Sequence, residues 1–173
     1  MQALVEAADA AGSAFEVVLV ASDRPDAPGI AWAAQRGLPT FACAAKGISK
    51  AEHEAMIDAA LDAHEVEFIA LAGYMRILSP AFVARWEGRI LNIHPSLLPK
   101  YKGLDTHARA IDAGDKIAGC SVHVVTEELD AGEVLGRAVV PILAGDTADT
   151  LAKRVLAAEH RLYPRLLAEY VAR

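Results

Sequence analysis

The sequence predicts an open, mostly parallel α/β sheet of the Rossmann-like kind, with helices on both faces. Three observations carry that prediction. Short β-branched runs alternate with helix-period segments along the whole chain, the pattern made by parallel strands joined through helical crossovers. Val66–Gly73 (VEFIALAG) is almost continuously apolar, as a strand covered on both faces must be. Helix start and stop signals fall between the runs.

In order, Met1–Ala11 reads as a helix with no strand before it, whereas a doubly wound sheet normally opens on a strand and a Gly-rich turn. Phe15–Ser22 (FEVVLVAS) reads as a strand closed by the turn signal Asp23-Arg24-Pro25-Asp26, and Ala27–Arg36 as a helix ended by Gly37. Leu38–Cys43 is a short strand. Ser49–Ala63 is a helix with Ser49 as N-cap and Glu52 as its capping-box partner. After the strand Val66–Gly73, Ser79-Pro80 opens a helix to about Trp86, proline being tolerated in a first turn. Arg89–His94 is a strand, and Ala108–Ala113 a short helix stopped by Gly114. Gly119–Thr126 and Val134–Ile142 are strands able to pair around Asp130-Ala131-Gly132. Thr147–Ala172 is a long amphipathic helix that Pro164 should kink or split.

Length and composition narrow the function classes. A chain of 173 residues fits one domain with a sizeable core. With 54% apolar and 23% charged residues it is an ordered globular chain. Net charge is −6 and no Lys/Arg run exceeds a pair, which argues against nucleic acid as a partner; a small anionic ligand stays open, because a few local donors can reverse the field in a cleft. Cys43 and Cys120 each lie in an apolar run and read as buried, reduced thiols. No apolar run is long enough for a membrane span, and the start lacks a signal-peptide plan, so the expected location is the cytoplasm. The six histidines are scattered without metal-ligand spacing, and no metal is expected.

Three groups of residues could carry chemistry. Asn92 and His94 end the strand Arg89–His94, two apart and so on one face; they are either an amide donor and an imidazole aimed beyond the strand, or a turn cap and a structural histidine. Ser121 and His123 share a face in the same way, and Asp130 stands at the following turn. A carboxylate there could reach His94, hold its ring and fix its tautomer, or could serve only the turn. Tyr74-Met75-Arg76-Ile77-Leu78 follows the apolar strand and suits either the wall of a flat aromatic ligand's pocket or ordinary packing with a solvated arginine.

Taken together, Gly73–Pro80 (GYMRILSP), Leu91–Pro99 (LNIHPSLLP) and His123–Gly132 (HVVTEELDAG) occur in an order that closely resembles the phosphoribosylglycinamide formyltransferases, over essentially the whole chain. The resemblance implies a single formyltransferase domain over residues 1–173. It implies transfer of a formyl group from 10-formyltetrahydrofolate, as co-substrate, to the amine of glycinamide ribonucleotide in purine synthesis. It makes Asn92, His94 and Asp130 the catalytic set. It puts folate against Tyr74, Met75, Arg76, Ile77 and Leu78, with Arg76 toward the glutamate tail, and against Val125, Thr126, Glu127, Glu128 and Leu129 at the pterin edge. It puts the ribonucleotide near Glu159, Gly103 and His107, and gives Ser121 and His123 a supporting role. Monomer and homodimer both remain open.

The family begins with a strand and a Gly-Ser-Asn turn that holds the substrate phosphate at a helix N-terminus. This chain starts at Met1-Gln2-Ala3-Leu4, where that turn would end. The resemblance therefore implies that the first strand and phosphate turn, and the family's C-terminal extension beyond Arg173, lie outside it. Two relatives offer alternatives. Formyltetrahydrofolate deformylase is similar around Asn-x-His, but tends to carry a second histidine where this chain has Pro95-Ser96-Leu97. Methionyl-tRNA formyltransferase would need a basic surface and a second domain. An inactive truncated folate-binding fragment is the third alternative.

Overall fold

The computed structural model describes residues 1–173 as α1 (Gln2–Ala8), β1 (Val20–Ser22), α2 (Pro28–Gln35), β2 (Thr40–Ala42), α3 (Lys50–Ala63), β3 (Ile69–Leu71), α4 (Pro80–Arg85), β4 (Ile90–His94), α5 (Thr106–Asp112), β5 (Ile117–Val124), β6 (Val134–Pro141) and α6 (Ala148–Val171). Local signals place several of these. The Ser49 hydroxyl accepts from Glu52 N at 3.2 Å while the Glu52 carboxylate accepts from Ser49 N at 2.8 Å, so the capping box that starts α3 is present. Ser79 caps α4, with Pro80 in its first turn. Pro164 does not split α6. It removes one N–H from the helix, but Tyr163, Leu166 and Leu167 beside it are buried in the core and hold both halves in line.

β1 pairs with β2 in parallel, and β3 with β4 in parallel, while β4–β5 and β5–β6 are antiparallel. Ile90 and Leu91, adjacent in β4, are both fully buried because successive strand residues face opposite sides. Leu91 joins Cys120, Val122, Leu151, Val155 and Leu162 in the larger core, under α6. Ile90 joins Leu61, Phe82 and Trp86, under α3 and α4. Each such side chain is worth about 1.5–3 kcal/mol when buried. The Tyr163 hydroxyl donates to Leu91 O at 2.9 Å and the Tyr170 hydroxyl to Gly88 O at 2.8 Å, which ties α6 to the strand that ends in Asn92 and His94.

β2 covers only Thr40–Ala42 of Leu38–Cys43, and β1 and β3 fall furthest short of the sequence prediction, for a shared reason. Paired structure covers only Val20–Ser22 of the run Phe15–Ser22, and only Ile69–Leu71 of Val66–Gly73. The sheet is divided: β1 has a partner only in β2, and β3 only in β4. Val20 N–H donates to Pro39 O and Ile69 N–H to Arg89 O, so alternation turns the backbone groups of Leu19, Ala21, Phe68 and Ala70 to the opposite edges. Those edges line one apolar cavity of about 470 Å³, with Val5, Val17, Leu78 and Leu167 also in its walls. Amide protons of Leu19, Ala21, Phe68 and Ala70 are therefore expected to exchange much faster than those of Leu91, Cys120 and Val122. Hydrogen exchange read by mass spectrometry checks this, and equal protection would contradict it.

Candidate active site

β4 is the element that positions the site. Ile90 faces the α3/α4 side, and the period of two puts Asn92 and His94 on that same side. In the antiparallel register Asn92 lies opposite His123 and His94 opposite Ser121, so all four polar residues share one face at the carboxyl end of β4. Asp130, in the turn between β5 and β6 with φ of 49°, closes the group. Its Oδ2 is 3.3 Å from His94 Nδ1 and its Oδ1 is 3.5 Å from His123 Nε2. Asn92 Nδ2 lies 3.3 Å from His123 Nε2. Asp130 is thus more than the residue of a turn, since it joins two imidazoles that the strand register brings together. His94, His123 and Asp130 are all buried.

Hydrogen bonds assign the two rings different tasks. His123 Nδ1 donates to Val124 O at 3.0 Å, leaving Nε2 as an acceptor for the Asn92 amide. His94 Nε2 donates to Tyr101 O at 2.9 Å, so its Nδ1 is the atom presented to Asp130. Burial is the largest influence on His123 and pushes its imidazole below the usual histidine range, against the Val124 carbonyl and the Asp130 carboxylate, which act to raise it. A histidine held neutral in the fold takes its proton more readily when unfolded. Its stabilising contribution is full above the unfolded value of 6.5 and is lost as pH falls below it. The drop in Tm between about pH 7.5 and about pH 5.5 should therefore be smaller in His123→Asn than in the parent. A thermal melt series checks this, and an equal or larger drop would overturn it.

The loop Lys100–Asp105 lies over the group. Gly103 N donates to Asp130 Oδ2 at 2.9 Å, and Lys102 Nζ pairs with Glu128 at 3.0 Å. Ser121 supports the loop's base: its hydroxyl donates to Ser96 O at 2.7 Å and accepts from Leu98 N at 3.0 Å. His107, at the start of α5, adjoins His94. Burial, then the His94 charge, pushes its ring below the usual range, and its buried Nδ1 has no hydrogen-bond partner.

The other residues singled out from sequence are arranged less tightly. Leu78 and Val125 both pack against the cluster of Ile90, Phe82 and Trp86, so one end of each segment, Tyr74–Leu78 and Val125–Leu129, meets the core that Ile90 of β4 joins. Met75, Ile77 and Leu129 are 73%, 67% and 52% exposed, which rules out ordinary core packing for them. Tyr74 is half-buried; burial, then Asp23, pushes its hydroxyl above the usual range. Arg76, Thr126, Glu127 and Glu128 are exposed or nearly so. Glu159 is not brought into the group. It stands on α6 near the Met1 amino group, and burial pushes its carboxyl up, partly offset by that charge. Tyr101 was not legible in advance, because it acts through a backbone carbonyl, which carries no residue signature.

No group of three or more His, Cys, Asp or Glu side chains is placed to hold a metal ion, and no helix is long and apolar enough to cross a membrane. The sequence signature of the Formyl transferase family matches residues 1–167. The chain belongs to that family. Among formyl transferases of known structure, phosphoribosylglycinamide formyltransferase from Brucella melitensis is 55% identical with a TM-score of 0.95, covering 100% of this chain and 90% of that one. Phosphoribosylglycinamide formyltransferase of Escherichia coli K12 is 43% identical over 169 residues, 97% of this chain and 80% of that protein. The trifunctional purine biosynthetic protein adenosine-3 of Gallus gallus is 44% identical over 168 residues, 96% of this chain and 17% of that protein. The chain thus spans less than a fifth of the trifunctional relatives it matches.

Proposed function

We propose that this formyl transferase moves the formyl group of 10-formyltetrahydrofolate to the primary amine of glycinamide ribonucleotide, the activity for which its phosphoribosylglycinamide formyltransferase relatives are named. The observation that carries the proposal is the joining of Asn92, His94, His123 and Asp130 on one face at the end of β4.

Formyl transfer makes three demands. The amine nitrogen bonds to the formyl carbon while negative charge builds on the formyl oxygen; the amine loses a proton; and the bond to the folate nitrogen breaks as that nitrogen gains one. Asn92 meets the first, because His123 takes one N–H of its amide and leaves the other to donate to the charged oxygen. His94 and Asp130 meet the other two by holding and relaying a proton, directly or through a water, which is worth about 10²–10⁴-fold. The exposed apolar side chains of Met75, Ile77 and Leu129 beside half-buried Tyr74 fit a flat aromatic ring system, and Arg76 suits the carboxylate tail beyond it. We assign His107, whose Nδ1 has no hydrogen-bond partner, to the ribonucleotide, with the loop at Gly103 and the carboxylate of Glu159 on α6 as further contacts.

The same proposal assigns the slot between β1 and β3 to the strand and Gly-Ser-Asn turn of the family, since its unpaired edges and apolar walls suit a strand. It puts the protein in the cytoplasm, where the unbridged thiols of Cys43 and Cys120 stay reduced. A kinetic assay with 10-formyl-5,8-dideazafolate tests it. Deformylation should proceed only when glycinamide ribonucleotide is added. Equal rates without the ribonucleotide would overturn the assignment of the acceptor.

A further inference from the structure

Arg109 stands outside the catalytic group, on α5, and its hydrogen bonds are unusual for a surface arginine. Nη1 donates to Lys102 O at 2.7 Å and to Leu104 O at 3.1 Å. These two carbonyls bracket Gly103, whose N–H is held by Asp130. The guanidinium carbon also lies 5.2 Å from the centre of the Tyr101 ring, and Tyr101 is the residue whose carbonyl receives the His94 proton donor. One planar cation therefore touches residues 101, 102 and 104, and the backbone between those contacts meets both His94 and Asp130.

The loop needs such a hold. Tyr101, Gly103 and Asp105 have φ of 54°, 77° and 58°, a region that residues with a Cβ seldom adopt. Asp105 makes no side-chain cap bond at the start of α5; the Thr106 hydroxyl ties the helix start to Pro95 O at 2.7 Å, while the carbonyls of Lys102 and Leu104 are held by Arg109. Lys100 and the Tyr101 hydroxyl bind Asp115, which anchors the loop's near end only. α5 is a firm base for the far end, because Ala110 is buried and Ile111 packs against the larger core. A guanidinium can serve two carbonyls and an aromatic face together, where an ammonium is a point charge on a flexible stem.

We infer that Arg109 is a positioning residue: it fastens the Tyr101–Leu104 backbone so that the Tyr101 carbonyl and the Gly103 amide hold His94 and Asp130 in their working geometry. This rests on the formyl-transfer function proposed above. The Arg109→Met variant keeps the stem and removes the fork. Its Gly103 amide should exchange much faster than in the parent, and kcat should fall by about tenfold or more, as small misplacements of catalytic groups do. KM for the formyl donor and the Tm should stay near parental values. Guanidinium ion at low, non-denaturing concentration should restore part of kcat in Arg109→Met, and Arg109→Lys should fall between variant and parent.

A Gly103 amide as protected in Arg109→Met as in the parent would overturn the inference, whatever the turnover. So would a freed Gly103 amide with parental kcat. Because amide exchange needs no turnover, an inactive parent would count against the formyl-transfer function and leave the exchange result to decide the role of Arg109.

Discussion

Alanine in place of His94 or Asp130 is expected to lower turnover by about 10²–10⁴-fold while the protein still folds. His94 is the last residue of β4 and Asp130 lies in a turn, so neither belongs to the cores built around Leu91 and Ile90. Removing Asp130 leaves Gly103 N without its acceptor and His94 Nδ1 without its neighbouring carboxylate. A buried group left unpaired costs about 1–3 kcal/mol, against a typical domain stability of about 5–15 kcal/mol. The two residues act through one contact, so the double variant should be little worse than either single one. Single-turnover kinetics with circular dichroism would show it. Near-parental rates in either single variant would remove that residue from the chemistry.

Gly132→Ala should damage stability and turnover together. A Cβ at this position would overlap the carbonyl oxygen of Val124 and come within 3.1 Å of Thr126 Cγ2. The obstacle is mostly backbone, and that backbone is held by the 2.9 Å bond from Val124 N to Glu133 O, so the turn must move rather than a side chain. The overpacking cost is about 1–3 kcal/mol. Asp130 stands two residues before the substitution. A shift of about 1 Å there would loosen its contacts to His94, His123 and Gly103 and cost about 10² in kcat. Thermal melting and steady-state kinetics on the one variant test both effects. A parental Tm with parental kcat would mean the turn accommodates the methyl freely and does not position Asp130.

How much of this was legible in the sequence depends on the kind of signal each feature leaves. The capping box at Ser49 and Glu52 is written in side chains and was readable as such. The common face of Asn92 and His94 follows from strand periodicity alone, and the pairing of β5 with β6 from the turn residues between them. Asp130 was readable only as one of two possibilities, because its reach to His94 depends on the register of β4 against β5. The lengths of β1 and β3 could not be read, since β-branched composition marks an extended segment, whereas pairing depends on a neighbour. Nor could the Tyr101 carbonyl and the Gly103 amide, which any residue possesses. The carboxylate Glu159 carried a role by resemblance that its place on α6, near Met1, does not by itself supply.

The most direct test of the central claim is the fate of the formyl carbon. The protein would be incubated with formyl donor labelled at that carbon and with glycinamide ribonucleotide, and the products separated and identified by mass spectrometry. Label on the ribonucleotide amine, at a rate abolished by Asn92→Ala, is the expected result. Label released as formate, or ribonucleotide formylated equally well by Asn92→Ala, would contradict it.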